Sequence, residues 1–320
     1  MASRSRSVVL LVLLGFAASL LSASPASAGQ PPPDKGDFVF QWIKPSGGDG
    51  VFVAHADGRG ARPRGADVPG SRLHPDFSPS GDRIVFSDQA TGLWVTPFGG
   101  GRSTLVLACG DACDYPAWSP DGTRILFTEY TFGSCDCPPA GSSLKILDLL
   151  SGSVSTVVTE QQPRLVDVGR WSPSGDRIVY GIDLFDADYF EEGSAIAVVD
   201  ADGGSATTLT PYSTFAYYPD WNRLTGEIVY SVETLGYVAD PGPEAWNLFA
   251  IRPDGTGTRQ ITDVPSGWRV WQPSWTPDGA RITATLDSPD GRQAVFVDPT
   301  TGEVSSGILP ATHVRLRPAQ

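Results

Sequence analysis

Trp118-Ser-Pro-Asp-Gly-Thr-Arg-Ile-Leu-Phe127 decides the fold, because its pattern recurs along the chain. Phe77-Ser-Pro-Ser-Gly81, Trp171-Ser-Pro-Ser-Gly175 and Trp275-Thr-Pro-Asp-Gly279 are further copies, and Trp221-Asn-Arg-Leu-Thr-Gly226 is a degenerate one. The aromatics step by 41, 53, 50 and 54 residues, a period that suits one propeller blade with loops of unequal length. Proline presets φ for the second position of a tight turn, and glycine accepts the positive φ that follows. The aromatic ends one strand. Arg124-Ile-Leu-Phe127 starts the next, as do Arg83-Ile-Val-Phe86, Arg177-Ile-Val-Tyr180, Glu227-Ile-Val-Tyr230 and Arg281-Ile-Thr-Ala284. These short β-branched runs read as buried strands.

A third strand follows in each unit, for example Ala195-Ile-Ala-Val-Val199, and then a second turn such as Asp200-Ala-Asp-Gly-Gly204. A polar, Thr-rich outer strand completes it, as in Ala206-Thr-Thr-Leu-Thr210. Four antiparallel strands, repeated, make an all-β propeller. At the ends, Phe38-Val-Phe-Gln-Trp42 and Val51-Phe-Val-Ala54 read as second and third strands, and Thr312 to Arg317 as a strand left over. Letting that last strand complete the first blade gives a six-bladed β-propeller of four-stranded antiparallel blades with no open edge; seven blades is the alternative. The expected organisation is a secretory signal peptide over 1–28, a Pro-rich leader over 29–36 and one propeller domain over 37–318.

The Ser-Pro-Asp-Gly turn followed by Arg-Ile resembles the WD-like repeat of TolB-type β-propellers, over roughly Asp37 to Arg317. It is also similar to the propellers that cap prolyl oligopeptidase-type serine hydrolases. TolB proteins carry an α/β domain ahead of the propeller, and nothing between Gly29 and the first strand fits one, so the resemblance implies a propeller lacking that N-terminal domain. The hydrolases carry a Gly-x-Ser-x-Gly elbow beside theirs, and no such motif occurs here.

Arg4 and Arg6, the apolar run Val8 to Leu21 and Ala26-Ser27-Ala28 have the order of an export signal cleaved before Gly29. The expected location is secreted or extracytoplasmic, with no membrane-spanning segment and a monomeric state. Without Arg4 and Arg6 there are 21 Lys and Arg against 36 Asp and Glu, and such an acidic chain repels phosphate backbones, which argues against nucleic acid as a partner. Cys109, Cys113, Cys135 and Cys137 read as disulfides in an oxidising compartment rather than as a zinc site. Two bridges between the clusters are expected, since a Cys135–Cys137 bond would close a very small ring.

Three histidines, His55, His74 and His313, have no metal-ligand spacing, and no catalytic motif is present, so a non-enzyme is expected. In a propeller the loop between second and third strands shares a face with the blade-to-blade connection, and here those loops are long, acidic and aromatic. Asp88 is assigned to that face in the second blade. Asp183, Asp186, Asp188, Glu191 and Glu192 with Phe185, Tyr189 and Phe190 form the strongest stretch, placed outside the strands as a face for a protein or peptide partner. Asp183, Asp186 and Asp188 also invite a Ca²⁺ reading, without the EF-hand spacing; otherwise no cofactor is expected. Alignment on the repeat aromatic puts Asp76, Ala117, Arg170, Asp220 and Ser274 at equivalent inner-strand positions. Asp76, Arg170 and Asp220 are channel candidates, read as inter-blade ion pairs or as the mouth of a small polar-ligand site. The alternative function is a propeller hydrolase or lyase acting on envelope or extracellular carbohydrate or peptide.

Overall fold

The computed structural model describes residues 37–42, 50–110, 112–133, 139–186, 188, 190–234 and 244–318. The expected signal peptide and leader, Cys135, Cys137 and Tyr189 lie outside the described residues. All regular structure there is β, apart from a single 3₁₀ turn at Tyr212–Thr214.

Strands β1 (Asp37–Trp42), β2 (Gly50–His55) and β3 (Arg62–Arg64) belong to a first sheet that a distant strand completes. The second sheet runs β4 (Leu73–Phe77), β5 (Arg83–Asp88), β6 (Gly92–Pro97), β7 (Thr104–Ala108). The third is β8 (Cys113–Trp118), β9 (Arg124–Thr131), β10 (Gly141–Asp148), β11 (Val154–Gln161). The fourth is β12 (Arg164–Trp171), β13 (Arg177–Phe185), β14 (Glu191–Asp200), β15 (Thr207–Thr208). Then come β16 (Ala216–Trp221), β17 (Ile228–Thr234), β18 (Ala245–Ile251), β19 (Arg259–Gln260), β20 (Arg269–Trp275), β21 (Ile282–Ser288), β22 (Gly291–Val297) and β23 (Thr312–Leu316). β23 pairs antiparallel with β1, giving the order β23-β1-β2-β3. Four sheets are thus separate and four-stranded, whereas β16 to β22 form one seven-stranded sheet rather than two separate ones.

The repeat owes its turn to a hydroxyl. Ser119 Oγ accepts the Arg124 backbone N–H at 2.9 Å and donates to Asp121 at 2.6 Å, while Gly122 sits at φ +72°. In the Ser-Pro-Ser-Gly copies the carboxylate moves two residues on, and Ser78 and Ser172 donate to Asp82 and Asp176 instead. Asp or Ser at the fourth position therefore works equally, provided one carboxylate reaches the hydroxyl. The arginine that opens the second strand then crosses to the next repeat. Arg83 lies over Trp118, Arg124 over Trp171 and Arg177 over Trp221, at 4.7, 4.5 and 5.5 Å from the ring centres. Apolar side chains fill the space between sheets, as where Leu126 and Leu144 meet Val166, Ile178 and Tyr180. A Cβ at Gly169 would lie 2.7 Å from Leu126, so β12 approaches its neighbour as closely as glycine permits.

Three expectations are corrected. Cys109 bonds to Cys113, within a cluster rather than between clusters. The connector from β7 to β8 folds back so that their Cα atoms stand 6.0 Å apart, within disulfide reach. Asp183, Phe185, Glu191 and Glu192 are strand residues, because β13 and β14 extend as one long hairpin with Asp183 opposite Ser194 and Phe185 opposite Glu191. Asp88 is a buried hairpin residue, accepting from Thr91 Oγ1 at 2.7 Å, and not a group presented on the long-loop face.

Candidate functional site

Every innermost strand carries the same irregularity. His74, Tyr115, Val168, Tyr218, Gln272 and His313 all have positive φ, between 39° and 53°. At each, the ladder register shifts, so one residue is bulged. The bulge turns these side chains inward and stacks the axis in levels. On the long-loop side the preceding residues include Asp114, Asp167, Tyr217 and Trp271. On the Pro-x-Gly side the next inward positions are Asp76, Ala117, Arg170, Asp220, Ser274 and Arg315.

The bulged level is tightly packed. His74 stacks on Tyr115 with centroids 3.9 Å apart and meets His313 edge-on at 4.3 Å. Gln272 Nε2 lies 2.7 Å from His313 Nε2. Burial drives the His313 imidazole well below its ordinary value, so it is neutral. His74 Nδ1 hydrogen-bonds to Asp114, which also accepts from Ser87 Oγ at 2.6 Å and Gln89 Nε2 at 3.0 Å. Burial opposes ionisation of Asp114, but His74 and these donors outweigh it and hold the carboxyl below its ordinary value. His74 is thus an imidazole held and oriented by a buried carboxylate.

Above this level lie acids of the opposite character. Asp167 accepts from Tyr130 Oη at 2.6 Å and from the Val168 N–H at 2.8 Å. Burial pushes Asp167 up to about 7, and Asp183, bonded to Ser194 Oγ at 2.8 Å, likewise to about 7. Both are half-buried. Glu191, accepting from Tyr217 Oη at 2.6 Å, also rises to about 7 through burial. Tyr217 stacks on Trp246 at 4.9 Å, and Trp246 and Tyr218 both meet Trp271 edge-on. At the rim Phe190 is 66% exposed and Phe132 is 43% exposed. Asp186 accepts the N–H groups of Asp188 and Phe190, so its carboxylate orders the turn. Among the described residues no three His, Cys, Asp or Glu side chains gather as a metal site.

The other end of the axis is a cavity of about 70 Å³. Asp76, Arg170 and Asp220 line it together, as do Ala117 and Ser274 from the same alignment. Expected inter-blade pairing with Arg170 is not found: no carboxylate lies within ion-pair distance of it among the described residues. Arg315 takes that part instead, 3.2 Å from Asp220. Asp76 and Asp220 each accept the backbone N–H of the next repeat's tryptophan, Trp118 and Trp275, at 2.8 Å. The sequence reading missed Arg315 because β23 lacks the aromatic tag. The signal was present, since Val314-Arg315-Leu316-Arg317-Pro318 follows the spacing of Pro116-Ala117-Trp118-Ser119-Pro120, and Pro318 and Pro120 both line the cavity.

No family model matches the chain. Dipeptidyl-peptidase 5 of Porphyromonas endodontalis is 29% identical over 125 residues, 39% of this chain and 15% of that protein. The uncharacterized peptidase YuxL of Bacillus subtilis is 22% identical over 143 residues, 45% of this chain and 20% of that protein. The chain thus matches a fifth or less of either relative's length. Among solved structures, TolB from Acinetobacter baumannii superposes with a TM-score of 0.66 at 14% identity, covering 89% of this chain and 67% of that one. A TolB-like protein from Agrobacterium tumefaciens gives 0.61 at 16% identity, covering 86% and 88%. An oligogalacturonate lyase in complex with manganese gives 0.52 at 15% identity, covering 72% and 62%. At these identities the likeness establishes architecture, and no helix among the described residues is long and apolar enough to cross a membrane. The chain has the β-propeller fold of the TolB proteins.

Proposed function

We propose that the chain is an exported TolB-like propeller of six blades, and that it acts as a binding module for a basic segment of a partner protein at its long-loop face. Six is the count that the repeated bulge supports, one per innermost strand. The seven-stranded sheet then divides at Trp246–Arg269, its sole parallel link. The observation that supports the binding reading is exposed Phe190 among Asp186, Asp188, Glu191 and Glu192 of the β13–β14 hairpin, with Phe132 exposed in the β9–β10 hairpin of the preceding sheet. Large apolar side chains left in water at a rim of carboxylates suit an anchor surrounded by steering charge.

Capture from envelope and culture extracts, followed by binding kinetics on the purified partner, tests this. Phe132→Ala with Phe190→Ala should weaken binding about tenfold or more, chiefly through faster dissociation. Neutralising Asp188 and Glu192 should mainly slow association and flatten its salt dependence. Unaltered affinity in the double phenylalanine variant would place the site elsewhere.

A further inference from the structure

The Pro-x-Gly end of the axis holds an arginine whose surroundings are incomplete. Arg170 is 8% exposed. Its Nη1 donates at 2.9 Å to the carbonyl of Gly169, its own neighbour, and its Nε is buried without a hydrogen-bond partner. A buried guanidinium is normally matched by a carboxylate, since an unpaired buried charge is costly. Here burial, and then the like charge of Arg315, lower its pKa to about 10, with Asp76 and Asp220 acting the other way. Counting blade by blade around the ring, the order is Arg315, Asp76, Ala117, Arg170, Asp220, Ser274, so the two arginines stand opposite one another. Small side chains, Ala117 and Ser274, leave the room between them. Repeat tryptophans and prolines, including Trp118, Pro120, Trp171 and Pro173, line the same cavity.

We propose that this cavity is a binding site for a carboxylate with a neighbouring N–H group, the chemistry shared by a free amino acid and by the last residue of a peptide. The carboxylate sits between Arg170 and Arg315, where charge-assisted bonds to a planar guanidinium are strongest. The N–H turns to Asp76 or Asp220. A phosphate is disfavoured, because its higher charge would face both aspartates at close range. The volume of about 70 Å³ admits one small residue and not a folded segment. The site faces away from the long loops, so it stands or falls separately from the partner site proposed above.

Calorimetry or amide chemical shifts on the full chain, titrated with glycine, N-acetylglycine and N-acetylglycinamide, provide the test. Binding of N-acetylglycine, and not of its amide, marks a site for chain ends; binding of glycine in preference marks a site for free amino acids. Either outcome supports the carboxylate assignment. The amide should bind about tenfold or more weakly, as should N-acetylglycine to Arg170→Gln. Should that variant fail to fold, Ala117→Asp supplies a carboxylate beside Arg170 from within, and should abolish binding while melting no lower than the parent. Equal binding of acid and amide, no binding of either acid at about 50 mM, or unaltered binding to Ala117→Asp would overturn the proposal.

Discussion

Asp167 shows how one residue's surroundings become a property of the whole stability curve. Its neighbours are Tyr130 from β9, Asp114 from β8, Asp183 from β13 and the guanidinium of Arg170 on its own strand. Burial, helped by the charge of Asp114, outweighs the Tyr130 hydroxyl, the Val168 N–H and Arg170, and the carboxyl titrates near 7. The unfolded carboxyl titrates near its ordinary value of 3.8, so between the two values the folded chain holds a proton that the unfolded chain releases. A raised value of this kind adds stability that is complete below about pH 4 and drains away as pH climbs to about 7. Asp167→Asn keeps an oxygen for the Tyr130 and Val168 donors and removes the titration. Compared with the parent, its melting temperature should fall less between pH 4 and 7, and at pH 8 it should be higher by about 2–4 °C, the shift about 1 kcal/mol gives a domain of this size. Melting curves across that range check this. Parallel curves for the two proteins, or a less stable variant at pH 8, would sink it. None of this was legible in the sequence, where Asp167 is one acid among 36; its environment arises only when β8, β9, β12 and β13 converge at the axis.

At the scale of the element, the repeat motif is an interface written as a turn. Its serine closes the turn and its arginine reaches the next repeat's tryptophan, so one phrase sets both the strand and its neighbour. Arg124 over Trp171 is the most complete case, since Arg124 Nη2 also donates to the Gly175 carbonyl at 3.3 Å. Arg124→Ala should cost about 1–2 kcal/mol in urea unfolding, through the lost cation–π contact and the packing of the arginine stem. Arg59→Ala, whose side chain is 87% exposed, should cost almost nothing. Equal effects from the two would show that the stacked geometry is incidental. The degenerate copy at Trp221 has Glu227 where the arginine belongs, and it instead pairs with Arg259 at 2.9 Å. Blade strands were legible because a short β-branched apolar run follows a turn signal in every copy. Loop boundaries were less so: Asp183 to Glu192 is dense in charge, which reads as loop, yet strand pairing takes both of its ends, 183–185 and 191–192, into β13 and β14. The cysteine pairing was misread for a related reason, because nearness in space at a strand-to-strand connector outweighed spacing along the chain.

For the molecule as a whole, β23 is worth more than its five residues suggest. It is the inner strand of the sheet that β1, β2 and β3 complete. Ala311 and Val314 are each 2% exposed, and they pack in a core with Phe38, Phe40 and Phe296 drawn from two sheets. His313 supplies one side of the packed axial level, and Arg315 is the ion-pair partner of Asp220 across the cavity. Arg317 reaches the Gly81 carbonyl at 2.7 Å and lies over Phe98, both in turns that join strands of the second sheet. One strand therefore links the first sheet to both of its neighbours and to the centre. Removing residues 311–320 leaves the inner edge of β1 without its partner, opens the core at Phe38, and strips the axis of two of its inward groups. An exposed inner edge of this kind is prone to pairing between molecules. The truncated chain should melt at least about 10 °C lower or be recovered as aggregate, since several buried contacts are lost together. Arg315→Gln in the full chain separates the parts: it removes the ion pair alone and should lower the melting temperature by only a few degrees. If the truncation melted with the parent, β1 would not depend on β23 for its place, and the ring would be held by its other contacts.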